Sequence, residues 1–378
     1  MEFEQLVQFA VENNASDIHL ASNNFPSYRK NGKIINFEQS SLLDEDTVME
    51  YIETVLETQD YLKFCNCGDV DASYQFQDMA RFRVNAFKQR HGATLVMRII
   101  KMKPPKLSSL DLPDAIRKIL NLQEGLVLVT GPTGSGKSTT LAALINEINQ
   151  KERLHIITIE DPVEYMHTPV RCIINQREVG IDSETYSSAL KSALREDPDI
   201  ILMGEIRDLE SMSIALRAAE TGHLVLSTLH TESAAKTIDR LIDMYPVERQ
   251  KQALSQLSTT LKAVISQRLL PRFDMPGRIA AFEIMFVNSA ISNLIRENKI
   301  PQIEQMISIN QSSGMITRKA SIESLLKRGY ITKETADKYS YDVADNEELT
   351  KDISSYSNID GTPYGSTTSA YLGKTRRG

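Results

Sequence analysis

An α/β fold, in which a parallel sheet layered with helices follows a small α+β domain, is what this 378-residue sequence predicts. Three observations carry that reading. Residues 1–100 mix helical and strand periodicities, and from 114 onward short apolar runs alternate with helical stretches. One of those apolar runs leads straight into a glycine-rich loop that opens a helix.

In the first segment, "FEQLVQFAVENN" places Phe3, Leu6, Val7 and Ala10 on one helical face, while "DASYQFQ", "RFRVNAF" and "TLVMRII" alternate or are β-branched, as strands are. Residues 101–113, "KMKPPKLSSLDLP", break the pattern with Pro104, Pro105 and Pro113 and read as a linker. Beyond it "GLVLVT", "LHIITI", "DIILMG" and "HLVLST" read as strands of a parallel sheet buried between helices. Past about 275 the pattern turns helical, with "ISNLIRENK", "RKASIESLLKRG" and "TKETADKYSYDVA" the clearest segments, so the second domain spans 114–345. The Ser-, Thr- and Gly-rich stretch 346–378 is expected to be a disordered tail.

The bulk composition excludes several classes. With 41% apolar and 25% charged residues the chain has the make-up of a soluble globular protein. Its formal charge of −7 argues against bare nucleic acid as the main partner, because phosphate binding needs a basic surface. The N-terminus is acidic where a secretory signal is basic, and no apolar run approaches the ~20 residues of a spanning helix. A cytoplasmic location is expected. Cys65, Cys67 and Cys172 are too few and too unevenly spaced for a four-ligand zinc site and read as reduced thiols.

"GLVLVTGPTGSGKSTT" holds the spacing G-x-x-x-x-G-K-S between an apolar strand and a helix, the setting that makes this pattern a phosphate-binding P-loop. Gly131, Gly134 and Gly136 let the main chain of Pro132, Thr133 and Ser135 wrap an anion, so that amide N–H groups and the helix N-terminus face it. Lys137 is positioned to reach the β and γ phosphates of ATP, Ser138 to hold Mg²⁺ and Thr139 to add a phosphate contact. In "DIILMGEIRD" the strand Ile200–Met203 delivers Glu205 as a second metal or catalytic acid. "ITIEDPVEY" offers Glu160, Asp161 and Glu164 after another strand. A general base must lie within hydrogen-bond reach of the attacking water, and Glu164 and Glu205 both qualify, with Glu164 the first choice. His230 ends a strand of the same sheet, where ligands bind, and suits a γ-phosphate sensor. His223 begins that strand, about 23 Å away along it, and on geometry lies farther from the nucleotide.

Taken together, "GPTGSGKST", "ITIEDPVEY", "NQREVGID", "ALREDPDIILMGEIRD" and "AAETGHLVLSTLHTESAAKTIDRL" resemble the type IV pilus retraction ATPases, the PilT/PilU family of secretion motors. The resemblance runs from residue 1 to about 345, with "ASDIHL" near the start and "GRIAAFEIM" and "AISNLIRENK" towards the end. It implies a PAS-like N-terminal domain, a RecA-like P-loop ATPase domain and a homo-hexameric ring. That ring would sit peripherally at the inner face of the cytoplasmic membrane, against a pilus platform protein and a sister retraction ATPase. It further implies that Lys137 and Ser138, Glu160 and Glu164, Glu205, and both His223 and His230 serve the nucleotide. Arg81, Arg83 and Arg98 would reach the nucleotide of the neighbouring subunit. Two departures stand out: Ser292 replaces the arginine expected in "AIRNLI", and the tail exceeds the shorter form of the family. The four-cysteine zinc module of the assembly ATPases is lacking, which favours retraction over extension. The competing readings are an accessory PilU-like ring with low turnover and a nucleic-acid translocase on the same scaffold.

Overall fold

The computed structural model describes residues 2–340 apart from 31, 39, 78, 101 and 102. The expected tail 346–378 and the end of the second domain lie outside the described residues.

The first lobe runs α1 (Phe3–Glu12), β1 (Asp17–Ala21), β2 (Ser27–Lys30), β3 (Lys33–Asn36), α2 (Glu45–Val55), α3 (Thr58–Cys67), β4 (Asp69–Phe76), β5 (Ala80–Gln89) and β6 (Gly92–Ile100). Its six strands pair in the order β3-β2-β1-β6-β5-β4, every pair antiparallel. Helix α1 buries the four residues that its periodicity singles out, Phe3, Leu6, Val7 and Ala10. Along β5 the residues Ala80, Phe82, Val84 and Ala86 face the core, so the period of two turns Arg81 and Arg83 to the other face. The register sets Arg98 opposite Arg83 and Asp17 opposite Arg98, and the three arginines therefore share one face of the sheet.

The second lobe runs β7 (Gly125–Thr130), α4 (Lys137–Lys151), β8 (His155–Glu160), β9 (Ile173–Glu178), α5 (Tyr186–Ala193), β10 (Ile200–Met203), α6 (Leu209–Glu220), β11 (Leu224–Leu229), α7 (Ala234–Asp243) and α8 (Val247–Thr260). It continues with β12 (Leu261–Pro271), β13 (Arg278–Phe286), α9 (Ser289–Arg296), α10 (Ile303–Ile309), α11 (Arg318–Lys327) and α12 (Lys333–Ser340). The sheet order is β13-β12-β7-β11-β10-β8-β9, parallel except for the β12–β13 pair. Central β7 is buried throughout. Its Leu126 and Leu128 enter one core and Val127 and Val129 the other, as a strand with helices on both faces requires.

Two expectations need correction. The region past 275 is not helical from its start: β13 occupies Arg278–Phe286 and closes an antiparallel hairpin with β12. Short apolar runs carry no reliable period, and the turn residues Pro276 and Gly277 mark the reversal instead. Within 101–113, the chain from Leu107 onward is docked on the second lobe. Leu107 is buried beside α4, Leu110 and Leu112 pack on the same core, and Asp111 pairs with Arg272 at 3.2 Å.

The hairpin also anchors the C-terminal helices. The Phe282 N–H donates to Ser321 Oγ of α11 at 2.9 Å. The Arg268 guanidinium stacks 4.9 Å from the Tyr339 ring of α12. Ser292, the departure noted in the sequence, donates to the Ser258 carbonyl of α8 at 2.6 Å and so faces its own lobe.

Candidate active site

Strand β7 ends at Thr130 and α4 opens at Lys137, so Gly131–Gly136 forms the turn between them. Gly131 adopts φ +140°, and a Cβ there would lie 2.2 Å from the Gln267 carbonyl oxygen. Only glycine fits. Gly134 and Gly136 also take positive φ, +76° and +91°. Helix α4 begins with no side chain capping its first amides, which leaves those N–H groups and the positive end of the helix dipole facing the cleft. Pro132 lies in the turn, and the buried Ser135 hydroxyl has no partner among the described residues. A cleft of about 420 Å³ is lined here by Thr133, Gly134, Gly136, Lys137, Ser138 and Thr139, among others.

Lys137 is only 8% exposed, and its Nζ donates to the carbonyls of Gly131 at 2.9 Å and Pro132 at 3.3 Å. Burial lowers its pKa, while Glu205 and Glu164 pull the other way. Ser138 Oγ donates to Glu164 Oε1 at 2.9 Å, and Thr139 Oγ1 meets the Tyr165 hydroxyl at 3.0 Å. The loop that follows β8 is thereby fastened over the first turn of α4.

Glu160 and Glu205 leave neighbouring strands, β8 and β10. Glu160 accepts from Thr158 at 2.7 Å and Gln176 at 3.3 Å, and its withdrawal from solvent raises its pKa. Glu205 lies between two donors, with His230 Nε2 3.1 Å from one oxygen and Arg207 Nε 3.2 Å from the other. Arg207 also reaches Asp161 at 2.9 Å. On its other side His230 Nδ1 lies 3.5 Å from Lys137 Nζ, a long contact. A lysine ammonium can only donate, so the tautomer that satisfies both contacts has Nδ1 accepting from Lys137 and Nε2 donating to Glu205. Lys137, Ser138, Thr139, Glu160, Glu164, Glu205 and His230 thus meet around one cleft.

His223 does not join them. The register pairs Leu224 with Gly125 and Leu229 with Thr130, so His223 and His230 leave β11 at opposite edges of the sheet. The His223 ring Nδ1 bonds instead near the Ala218 carbonyl at 3.0 Å and Thr221 Oγ1 at 3.2 Å. Arg81, Arg83 and Arg98 also stay outside the lining of the cleft of their own chain. Arg98 is held by Asp17 at 3.0 Å, Arg83 pairs with Asp71 at 3.7 Å, and Arg81 meets Ser73 at 3.3 Å and Met166 Sδ at 3.8 Å.

Sequence reasoning did not single out Arg207, Tyr165 or Arg278, all of which line the cleft. A signal existed for the first two, because Arg207 stands two residues after Glu205 and Tyr165 directly follows Glu164. Arg278 opens β13, the strand that periodicity missed.

A triphosphate suits this cradle, with its uncapped helix start and glycine-enforced turn. Among the described residues no cluster of three His, Cys, Asp or Glu side chains forms a metal cage. The oxygen donors beside the loop, Ser138, Glu164 and Glu205, fit Mg²⁺, an ion that takes one or two protein oxygens and completes its shell with phosphates and water.

Residues 2–337 match the family described as type II/IV secretion system protein. The type IV pilus retraction ATPase PilT of Pseudomonas aeruginosa PAO1 is 44% identical over 336 residues, which is 89% of this chain and 97% of that protein. The type IV pilus ATPase PilU of the same strain is 37% identical, over 89% of this chain and 88% of its own length. A crystal structure of the pilus retraction motor PilT with bound ADP superimposes with a TM-score of 0.84 at 43% identity, covering 92% of this chain and 99% of that one. No described helix is long and apolar enough to cross a membrane. On the family match over residues 2–337 and the P-loop constellation, this chain belongs to the type II/IV secretion system protein family.

Proposed function

We infer that this chain is an ATPase motor that powers type IV pilus retraction, working as a homo-hexameric ring. The observation that carries the ATPase reading is the convergence of Lys137, Ser138, Glu164, Glu205 and His230 on one cleft beneath an uncapped helix start. The pilus role is supported by the 44% identity to a retraction ATPase along nearly its whole length.

In this reading the amide N–H groups of Gly136, Lys137 and Ser138, at the start of α4, bind the phosphates, with Lys137 exchanging its two loop carbonyls for the β and γ oxygens. Ser138 and Glu205 would hold Mg²⁺, which when bound would neutralise negative charge on the phosphates. Glu164 orients and deprotonates the attacking water. Glu205 is the second candidate for that step, because its two oxygens already face His230 and Arg207. His230 bridges Glu205 and Lys137 and is placed to register the γ-phosphate. Arg98, Arg83 and Arg81, on one face of the first lobe, complete the cleft of the neighbouring subunit, so that hydrolysis depends on ring geometry. The ring lies peripherally at the cytoplasmic side of the membrane, against the platform protein of the pilus machine and a sister retraction ATPase.

The deciding measurement is phosphate release by the purified full chain, alone and with DNA, alongside its assembly state with and without a non-hydrolysable ATP analogue. Lys137→Ala is expected to abolish turnover. Full activity in that variant would exclude this cleft, negligible turnover in the wild type would favour an accessory ring, and strong stimulation by DNA would favour a translocase.

A further inference from the structure

Gln267 lies on β12, outside the strand–loop–helix unit that forms the phosphate cradle, and is only 3% exposed. Its Nε2 donates to the Ser135 carbonyl at 2.7 Å, and its Oε1 accepts from Thr140 Oγ1 at 3.0 Å. The carboxamide fits one way round, since reversal would set its oxygen against another carbonyl oxygen.

The consequence follows from peptide geometry. A trans peptide is planar, with its C=O and N–H on opposite sides. Drawing the Ser135 oxygen inward therefore turns the Gly136 N–H outward. The burial pattern agrees, since Gly136 lines the cleft whereas Ser135 is 2% exposed. Gly136 sits at φ +91° and, as glycine, would tolerate the flipped plane equally well. Sterics alone do not prevent a carbonyl oxygen from turning towards the phosphates. A buried hydrogen bond from Gln267 does.

We propose that Gln267 is a positioning residue for nucleotide binding, which locks the Ser135–Gly136 peptide so that the Gly136 N–H faces the bound phosphates. The proposal rests on the reading that the glycine loop holds the nucleotide, and not on the pilus role.

The test titrates ADP into the full chain by calorimetry and measures thermal midpoints with and without ADP. Gln267→Met keeps the length of the side chain but removes both polar contacts. It is expected to raise the ADP Kd about tenfold and to shrink the ADP-induced rise in midpoint. Thr140→Val loses only the orienting contact and is expected to weaken binding about two- to threefold. A wild-type Kd in Gln267→Met overturns the proposal. So does a lower midpoint of the free protein with an unchanged ADP increment, which would mark a packing role alone. Should Gln267→Met not fold, an unchanged Kd in Thr140→Val overturns it instead. Lys137→Ala separates the two levels, because ADP binding that survives in that variant removes the loop as the nucleotide site altogether.

Discussion

Ser138 Oγ lies 2.9 Å from Glu164 Oε1, joining the first turn of α4 to the loop that follows β8. The residue proposed to hold the metal and the residue proposed to deprotonate water are thereby in contact before any nucleotide arrives. Glu164→Gln keeps an oxygen that accepts from Ser138 but removes the base. Turnover is expected to fall roughly 10²–10⁴-fold with ADP affinity nearly unchanged. A larger loss of turnover in Glu205→Gln than in Glu164→Gln would assign the base to Glu205.

Gly131→Ala combines a backbone conformation that L-residues rarely adopt with a Cβ placed 2.2 Å from the Gln267 carbonyl. We expect destabilisation of roughly 2–4 kcal/mol together with loss of ADP binding, read by urea unfolding and calorimetry. The two losses should appear together, since relieving the clash means moving the loop. An alanine variant with wild-type stability would contradict the close approach of β12.

His167 is 8% exposed, and burial holds its imidazole down at about 4, from an ordinary 6.5. Its Nδ1 has no partner among the described residues. Between those two values the unfolded chain binds a proton that the folded chain does not, so this residue contributes stability above pH 6.5 that is lost as pH falls towards 4. In His167→Gln the loss of unfolding free energy between pH 7 and 4.5 should be smaller than in the wild type by roughly 2–3 kcal/mol. Identical pH profiles for the two proteins would show that the imidazole titrates normally.

Arg98 is 70% exposed, yet its Nε is held at 3.0 Å by Asp17, which is buried. Burial pushes the Asp17 carboxyl up, but hydrogen bonds from Arg98 and Ser16 outweigh it and hold the group below the usual carboxylate range. Asp17 keeps Ser16 and Arg29 as partners when Arg98 is removed. Arg98→Ala should therefore cost little stability while lowering turnover of the assembled ring roughly 10²-fold or more. The informative comparison is between ring and isolated subunit. If the variant and the wild type differ equally in both, the arginine is not acting on a neighbour.

The part of this architecture that could be read from the sequence is the part built from continuous segments. Strands β7, β8, β10 and β11 are buried apolar runs bounded by turn residues, and the glycine loop sits where its spacing put it. What escaped was set by contacts across long stretches of chain. Gln267 touches Ser135 from 132 positions away, and nothing in "SQRLL" announces a polar side chain aimed at the loop. Strand β13 was hidden because "RIAAFEIM" satisfies helical and strand templates alike. His223 shows the reverse problem: its motif pairs it with His230, but a six-residue strand between them sends the two rings to opposite edges of the sheet.

The β12–β13 hairpin touches the floor of the phosphate loop through Gln267 and the last two helices through Arg268 and Phe282. It therefore links the candidate pocket at one point to α11 and α12 at another. A reseating of the pocket that shifts the hairpin would reach the C-terminal end of the lobe through these contacts. By linkage, a load on α12 that acts through the hairpin would then change nucleotide affinity by the same free energy.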